Sequence, residues 1–193
     1  MGTKRRHRRS INECGHAHEL TFSCFRRFPF LSKDRTCEWL AASVRAACAD
    51  LEFSLWAFVF MPDHVHLIVH PERPIYDVAE FLYAVKQPTS RRALDFLRKE
   101  SPDWVEKLKV RRGRRTEYHF WQPGAGFDRN ITEPRTLERM VEYLHLNPVR
   151  KGLVASPADW KWSSAGYFLR GQQLPSLGVT PIPPEWTIGM PND

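Results

Sequence analysis

Two apolar runs, LEFSLWAFVF (51–60) and HVHLIVH (64–70), are separated only by Met61, Pro62 and Asp63. Runs of this length, rich in aromatic and β-branched residues, read as strands. Three residues leave no room for a crossover, so the strands form an antiparallel hairpin. The first is apolar on both faces in its second half, which places the hairpin in the middle of a sheet. The second carries two histidines at its head. Alternate side chains of a strand share a face, so His64 and His66 lie on one side and Val65, Leu67 and Val69 on the other. A histidine pair of this kind suits two roles. It is either half-buried and hydrogen-bonded to backbone, or it supplies two ligands of a divalent metal site that needs others.

Around this hairpin the chain alternates period and composition. HELTFSCF sets Leu20, Phe22 and Cys24 against Glu19, Thr21 and Ser23, the pattern of a half-buried strand. From about Asp34 to Ala49 a helix follows, with Cys37, Leu40, Ala41, Val44, Ala47, Cys48 and Leu51 on one stripe. A second helix is expected from near Ile75, broken by Pro88 before TSRRALDFLRKE resumes in helical composition. Lys107 to Arg115 reads as a charged loop or strand margin. YHFWQ and FDRNI, flanking the glycines of PGAG, read as a pair of short strands. EPRTLERMVEYLHLNPV is the last clear helix, ending near Asn147 because proline follows. The order β, α, β, β, α, β predicts an α+β fold, a single antiparallel sheet with helices on one face and the other face open to a ligand. The expected organisation is a basic arm over 1–15, one domain over 16–154, and an extended tail over 155–193 packed by its aromatics.

Twelve Phe, seven Trp and 42% hydrophobic residues in 193 supply a core of ordinary size. No apolar run reaches the roughly 18 residues of a membrane helix, and the basic start KRRHRR is not followed by a signal-type apolar stretch. A cytoplasmic protein without membrane contact is expected. The four cysteines, Cys14, Cys24, Cys37 and Cys48, lack zinc-site spacing and read as reduced thiols, two of them in the core. The formal charge of +7 favours a polyanionic partner. Its distribution says more: basic residues cluster at Lys4 to Arg9, at Arg91 and Arg92, at Arg111, Arg112, Arg114 and Arg115 within KLKVRRGRR, and at Arg150 with Lys151. Separated clusters of this kind point to a phosphate-binding surface. Lys86 falls on the apolar stripe of its helix. Its stem either snorkels to water or carries the ammonium across to a phosphate.

In the last helix Leu137, Met140, Val141 and Leu144 form the core stripe, while Tyr143 and Asn147 share a flank one turn apart. Alone, Tyr143 suits the edge of a core and Asn147 suits a helix end before proline. Together with the histidine pair and the basic clusters they provide the parts of a metal-assisted phosphodiester transesterase. Such chemistry depends on positioning and charge stabilisation.

The segments FVFMPDHVHLIVHP, FLYAVKQ, FWQPGAGFDRNI and VEYLHLNPVRKGLVASPADWKWSSAGYF, in that order, resemble the REP-associated tyrosine transposases of the HUH single-tyrosine superfamily. The likeness spans about Phe58 to Phe168. It implies a ferredoxin-like or RRM-like sheet, His64 and His66 as ligands of Mg2+ or Mn2+, Tyr143 as nucleophile, and Asn147 as a candidate third ligand where relatives often carry Gln. It further implies cleavage of single-stranded DNA beside an imperfect hairpin, with a 5′-phosphotyrosine intermediate and a free 3′-hydroxyl, by a monomer or a homodimer. Lys86, Arg91, Arg92, Arg111, Arg112, Arg114, Arg115, Arg150 and Lys151 are the expected DNA contacts.

Three alternatives stay open on the sequence. A domesticated protein that binds a DNA or RNA hairpin without cutting it would show the same basic surface, although it has no chemical need for the histidines, the tyrosine and the asparagine together. A zinc hydrolase lacks an H-E-x-x-H helix or a third ligand in a nearby motif. A second H-x-H pair, His16 and His18 with Cys14 close by, is a rival metal site. Trp121, Phe127, Trp160 and Trp162 divide between core packing and stacking on unpaired bases.

Overall fold

In the computed structural model, which describes residues 11–124, 126–174 and 176–187, β2 (Phe53–Phe60) and β3 (His64–Pro71) form the expected hairpin. β1 (Ala17–Ser23) pairs with β3, and β6 (Phe127–Ile131) pairs with β1, giving one antiparallel sheet in the order β2-β3-β1-β6. A bulge explains why β2 is apolar on both sides. Leu55 faces Val69 and Ala57 faces Ile68, so Trp56 is the extra residue. Phe53, Leu55, Phe58 and Phe60 therefore reach one core, while Trp56, Ala57 and Val59 reach the other.

The first core lies between the sheet and two long helices, α1 (Asp34–Leu51) and α2 (Val78–Glu100). Leu20, Phe22, Val65, Leu67 and Val69 meet Cys37, Leu40 and Val44 of α1 and Phe81, Leu82 and Val85 of α2. Each large apolar side chain buried there stabilises the fold by about 1.5–3 kcal/mol relative to exposure. α2 departs from expectation at two points. It begins at Val78, where Asp77 accepts the Ala79 N–H at 2.7 Å, and Ile75 stays 88% exposed. Pro88 does not break it. A proline inside a helix costs about 3 kcal/mol, and packing on both sides offsets this: Val85 and Phe81 before it, Ala93 and the wholly buried Thr89 after it. The Thr89 hydroxyl also lies 3.1 Å from Ser43 Oγ of α1.

The second face of the sheet is not left bare. The apolar stripe of α4 (Pro134–His145) needs cover of its own, and finds it on Ala17, Val59, Met61, Ile68 and Ile131 through Leu137 and Leu144. The head of β3, with the buried His64 and His66, lies on that same face. YHFWQ and FDRNI also differ from a strand pair, because the chain between them does not reverse. Both run along β1: β6 pairs with residues 17–21, and Gln122 N–H donates to Ser23 O with Trp121 beside Cys24.

The segment from Pro102 to Tyr118 folds as α3 (Pro102–Lys107), β4 (Lys109–Arg112) and β5 (Arg115–Tyr118), the last two a separate hairpin. After α4 come α5 (Asn147–Arg150) and α6 (Ala165–Arg170). Phe60 N–H donates to Trp162 O and Ser164 N–H to Phe58 O, so the tail covers the outer edge of β2. Trp121 and Trp162 are buried and Trp160 packs against both cores, which settles them as packing residues; Phe127 is 36% exposed. Among the described residues no helix is long and apolar enough to cross a membrane. The basic run Lys4 to Arg9 lies outside the described residues.

Candidate active site

His64 and His66 project from the start of β3 on the α4 side of the sheet, both buried, with ring centroids 5.0 Å apart. Each has one ring nitrogen fixed. His64 Nδ1 lies 2.7 Å from Asp63 Oδ1, and His66 Nδ1 lies 2.8 Å from the hydroxyl of Thr21, its cross-strand partner. A carboxylate only accepts, so His64 Nδ1 carries the proton and its Nε2 presents a lone pair. Burial holds His64 below the ordinary imidazole value, helped by the charges of Arg27 and Lys151, against the upward pull of Asp63. Burial, with His64 and Arg27 adding to it, pushes His66 down to about 4. Neutral imidazoles with oriented outer partners are what a metal ligand requires.

Thr21 owes its place to a close crossing. The chain before β6 passes so near β1 that a Cβ at Gly126, where φ is +93°, would stand 2.3 Å from Thr21 O. Only glycine allows this approach.

On α4, Tyr143 is 46% exposed on the flank it shares with Asn147, while Met140 packs against the second core. Asn147 is buried, and its Nδ2 donates to Tyr143 O at 3.0 Å and Leu144 O at 3.2 Å. Pro148 has no N–H for Leu144 O, and the asparagine amide supplies the donor instead. The helix-end role of Asn147 is thus real, and it leaves Oδ1 for another partner. Arg150 sets its guanidinium 4.5 Å from the Tyr143 ring centroid, and Lys151 is close enough to act electrostatically on His64. Lys151 thus ties the end of the α4–α5 segment to the histidines, and within that segment Tyr143 touches Arg150 and Asn147.

The other expected contacts are dispersed. Lys86 sits on the α1–α2 side, away from the histidines, with Nζ donating to Gly124 O at 2.8 Å and its pKa lowered by burial. With Arg91 it lines a groove of about 610 Å³ between α2 and residues 118–124. Arg92 lies across α2 in the cleft facing α1. Arg111, Arg112, Arg114 and Arg115 are exposed on the β4–β5 hairpin.

The rival histidine pair is spent internally. His18 is wholly buried, 2.9 Å from Asp128 and 2.8 Å from the Tyr76 hydroxyl, and His16 lies 3.1 Å from Asn130 Nδ2. Neither resembles the half-free rings of His64 and His66. Among the described residues no three His, Cys, Asp or Glu side chains converge as metal ligands. A divalent ion at His64 and His66 would need the Asn147 carbonyl oxygen, water or a substrate phosphate to complete it. A mixed nitrogen and oxygen set of this kind fits such an ion. Besides the histidines' partners Thr21 and Asp63, two further residues escaped sequence reasoning. Arg27 carries no local signal beyond a basic dipeptide. Glu19, buried on the same face as Thr21, shows in sequence only as the polar phase of a strand.

An antiparallel sheet bearing a histidine pair, with a tyrosine helix laid across the same face, is the arrangement expected of a tyrosine transposase. The chain belongs to the family of IS200-like transposases, whose model matches residues 15–147. It is similar to a Haemophilus influenzae protein assigned as a REP-associated tyrosine transposase, 24% identical over a 145-residue alignment, with 71% of this chain and 77% of that one covered. The fold matches that of a REP-associated tyrosine transposase solved bound to a REP hairpin, with a TM-score of 0.65 at 18% identity, covering 96% of this chain and 98% of the other.

Proposed function

We propose that this protein is a metal-dependent single-strand DNA transesterase that cleaves and rejoins DNA beside an imperfect hairpin. The observation that carries this reading is the pair of half-free imidazoles, His64 and His66, on the face crossed by the Tyr143 helix. A Mg2+ or Mn2+ ion held by these two and by Asn147 Oδ1 would withdraw charge from a non-bridging phosphate oxygen. Tyr143 Oη attacks phosphorus, the bond to the 3′-oxygen breaks, and the DNA 5′ end is left on the tyrosine. The phenol gives up its proton and the departing 3′-oxygen takes one, so a free 3′-hydroxyl results; attack by a 3′-hydroxyl on the phosphotyrosine reverses the step and joins strands. Binding of a REP hairpin by the structural neighbour supports a hairpin as the DNA partner.

The test is a single-stranded oligonucleotide carrying an imperfect hairpin from the flanks of the gene, radiolabelled 3′ of the break and incubated with and without Mn2+. Label should travel with the protein through a denaturing gel, map to Tyr143, and vanish in Tyr143→Phe. Hairpin binding without any covalent label in the wild type would leave a binder, not an enzyme.

A further inference from the structure

The segment after β1 holds two consecutive arginines in the left-handed region, Arg26 at φ 53° and Arg27 at φ 57°. Neither is glycine or asparagine, the residues that tolerate this conformation. Strain of this kind persists only where the surroundings enforce it, and it concentrates at functional sites. Here the surroundings are the turn that precedes the histidines. Cys24 N–H donates to Asp63 O at 2.8 Å and Leu31 N–H to Pro62 O at 2.9 Å, clamping the segment on both sides of the arginines.

The two side chains then part. Arg26 turns away, donating to Lys107 O at 3.4 Å with its guanidinium 4.9 Å from the Phe25 ring centroid. Arg27 turns toward the site. Its Nη1 donates to Asp63 Oδ2 at 3.2 Å, while Asp63 Oδ1 accepts the hydrogen bond from His64 Nδ1–H. One carboxylate thus fixes both the imidazole and the guanidinium. The side chain is still 60% exposed, so the fork keeps N–H groups free for an anion. Its charge is felt at His64 and at His66.

We propose that Arg27 is a further catalytic residue, a guanidinium that binds a non-bridging oxygen of the scissile phosphate beside His64. The proposal rests on the transesterase reading. As the Tyr143 oxygen adds and the 3′-oxygen leaves, charge builds on the non-bridging oxygens, and a positioned donor stabilises it more in the transition state than in the ground state. Asp63 keeps the fork from swinging away between turnovers.

The test uses the full chain, Arg27→Gly and Arg27→Lys. Glycine removes the cation and relieves the left-handed strain together, so its Tm should equal or exceed that of the wild type. The log-log salt slope for binding a single strand that spans the cleavage site should shrink by about 0.7, one phosphate contact. Cleavage should fall on the order of 100-fold. Arg27→Lys should keep the slope but lose roughly 10-fold in cleavage, because a point charge replaces the fork. Wild-type slope and cleavage in Arg27→Gly would overturn the proposal, as would a lowered Tm with an unchanged slope. If the wild type binds but never cleaves, the transesterase reading fails on its own. The slope then still decides whether Arg27 holds a phosphate.

Discussion

Arg150 lies with its guanidinium carbon 4.5 Å from the ring centroid of Tyr143, one α5 turn packed back over the last turn of α4. At an exposed site such a contact is worth about 0.5–1 kcal/mol. That is small for stability but enough to restrict where a half-exposed phenol points. Arg150→Ala should therefore shift Tm by only a few degrees while lowering the yield of covalent tyrosine adduct about 10- to 100-fold, the penalty of a misplaced nucleophile. Adduct formation at the wild-type rate in Arg150→Ala would show that the contact does not orient Tyr143.

The outer partners of the histidines give a second prediction, read without DNA. Thr21→Val removes the hydrogen bond to His66 Nδ1 and keeps the shape of the side chain; Asp63→Asn removes the charge beside His64 Nδ1. Each should weaken Mn2+ binding about 10- to 100-fold in isothermal titration. His66→Ala should abolish it, and His18→Ala should leave the metal isotherm unchanged in whatever fraction stays folded. Undiminished affinity in His66→Ala would remove the metal site from β3.

Glu19 offers a stability test with a defined sign. Burial raises its carboxyl above the usual value, and Arg129 across the β1–β6 pair pulls it back only in part. The folded state therefore holds the proton more tightly than the unfolded one. Stability is highest below the unfolded carboxylate pKa and is lost as pH rises through the folded value. Glu19→Gln, which stays uncharged, should accordingly be more stable than the wild type in urea at pH 7.5, and the gain should disappear at pH 4. An equal gain at both pH values would mean that charge burial is not its cause.

Much of this arrangement is legible in the chain because the relevant signals are local. The hairpin follows from two apolar runs three residues apart, and the pairing of His64 with His66 follows from strand period alone. Tyr143 and Asn147 share a flank because helical residues four apart do. What escapes is non-local. The Trp56 bulge slips the period of β2, and Pro88 reads as a stop because nothing local reveals the packing that carries α2 past it. Lys86 and the histidines lie on opposite faces of the sheet, a fact fixed by which side α2 covers. Arg27 is a site residue only because the chain after β1 folds back on Asp63, 36 positions later.

The β4–β5 hairpin supports the last prediction, which concerns DNA held away from the reacting phosphate. Arg111, Arg112, Arg114 and Arg115 stand exposed around the turn at Gly113, and among the described residues their only close carboxylate is Glu117, 3.9 Å from Arg112 Nε. Four cations with so little internal neutralisation are available to a duplex stem. If all four meet phosphates of a paired stem, changing them together to Gln should flatten the log-log salt dependence of hairpin binding by about 3.6, at roughly 0.9 per contact. Far ultraviolet circular dichroism should be unchanged, since the side chains pack against nothing buried. Because these residues lie outside the His64, His66 and Tyr143 site, the cleavage rate at saturating DNA should survive while the concentration needed for saturation rises. A slope identical to that of the wild type would show that the stem is held elsewhere. Loss of the saturated rate would place the hairpin in the reaction itself.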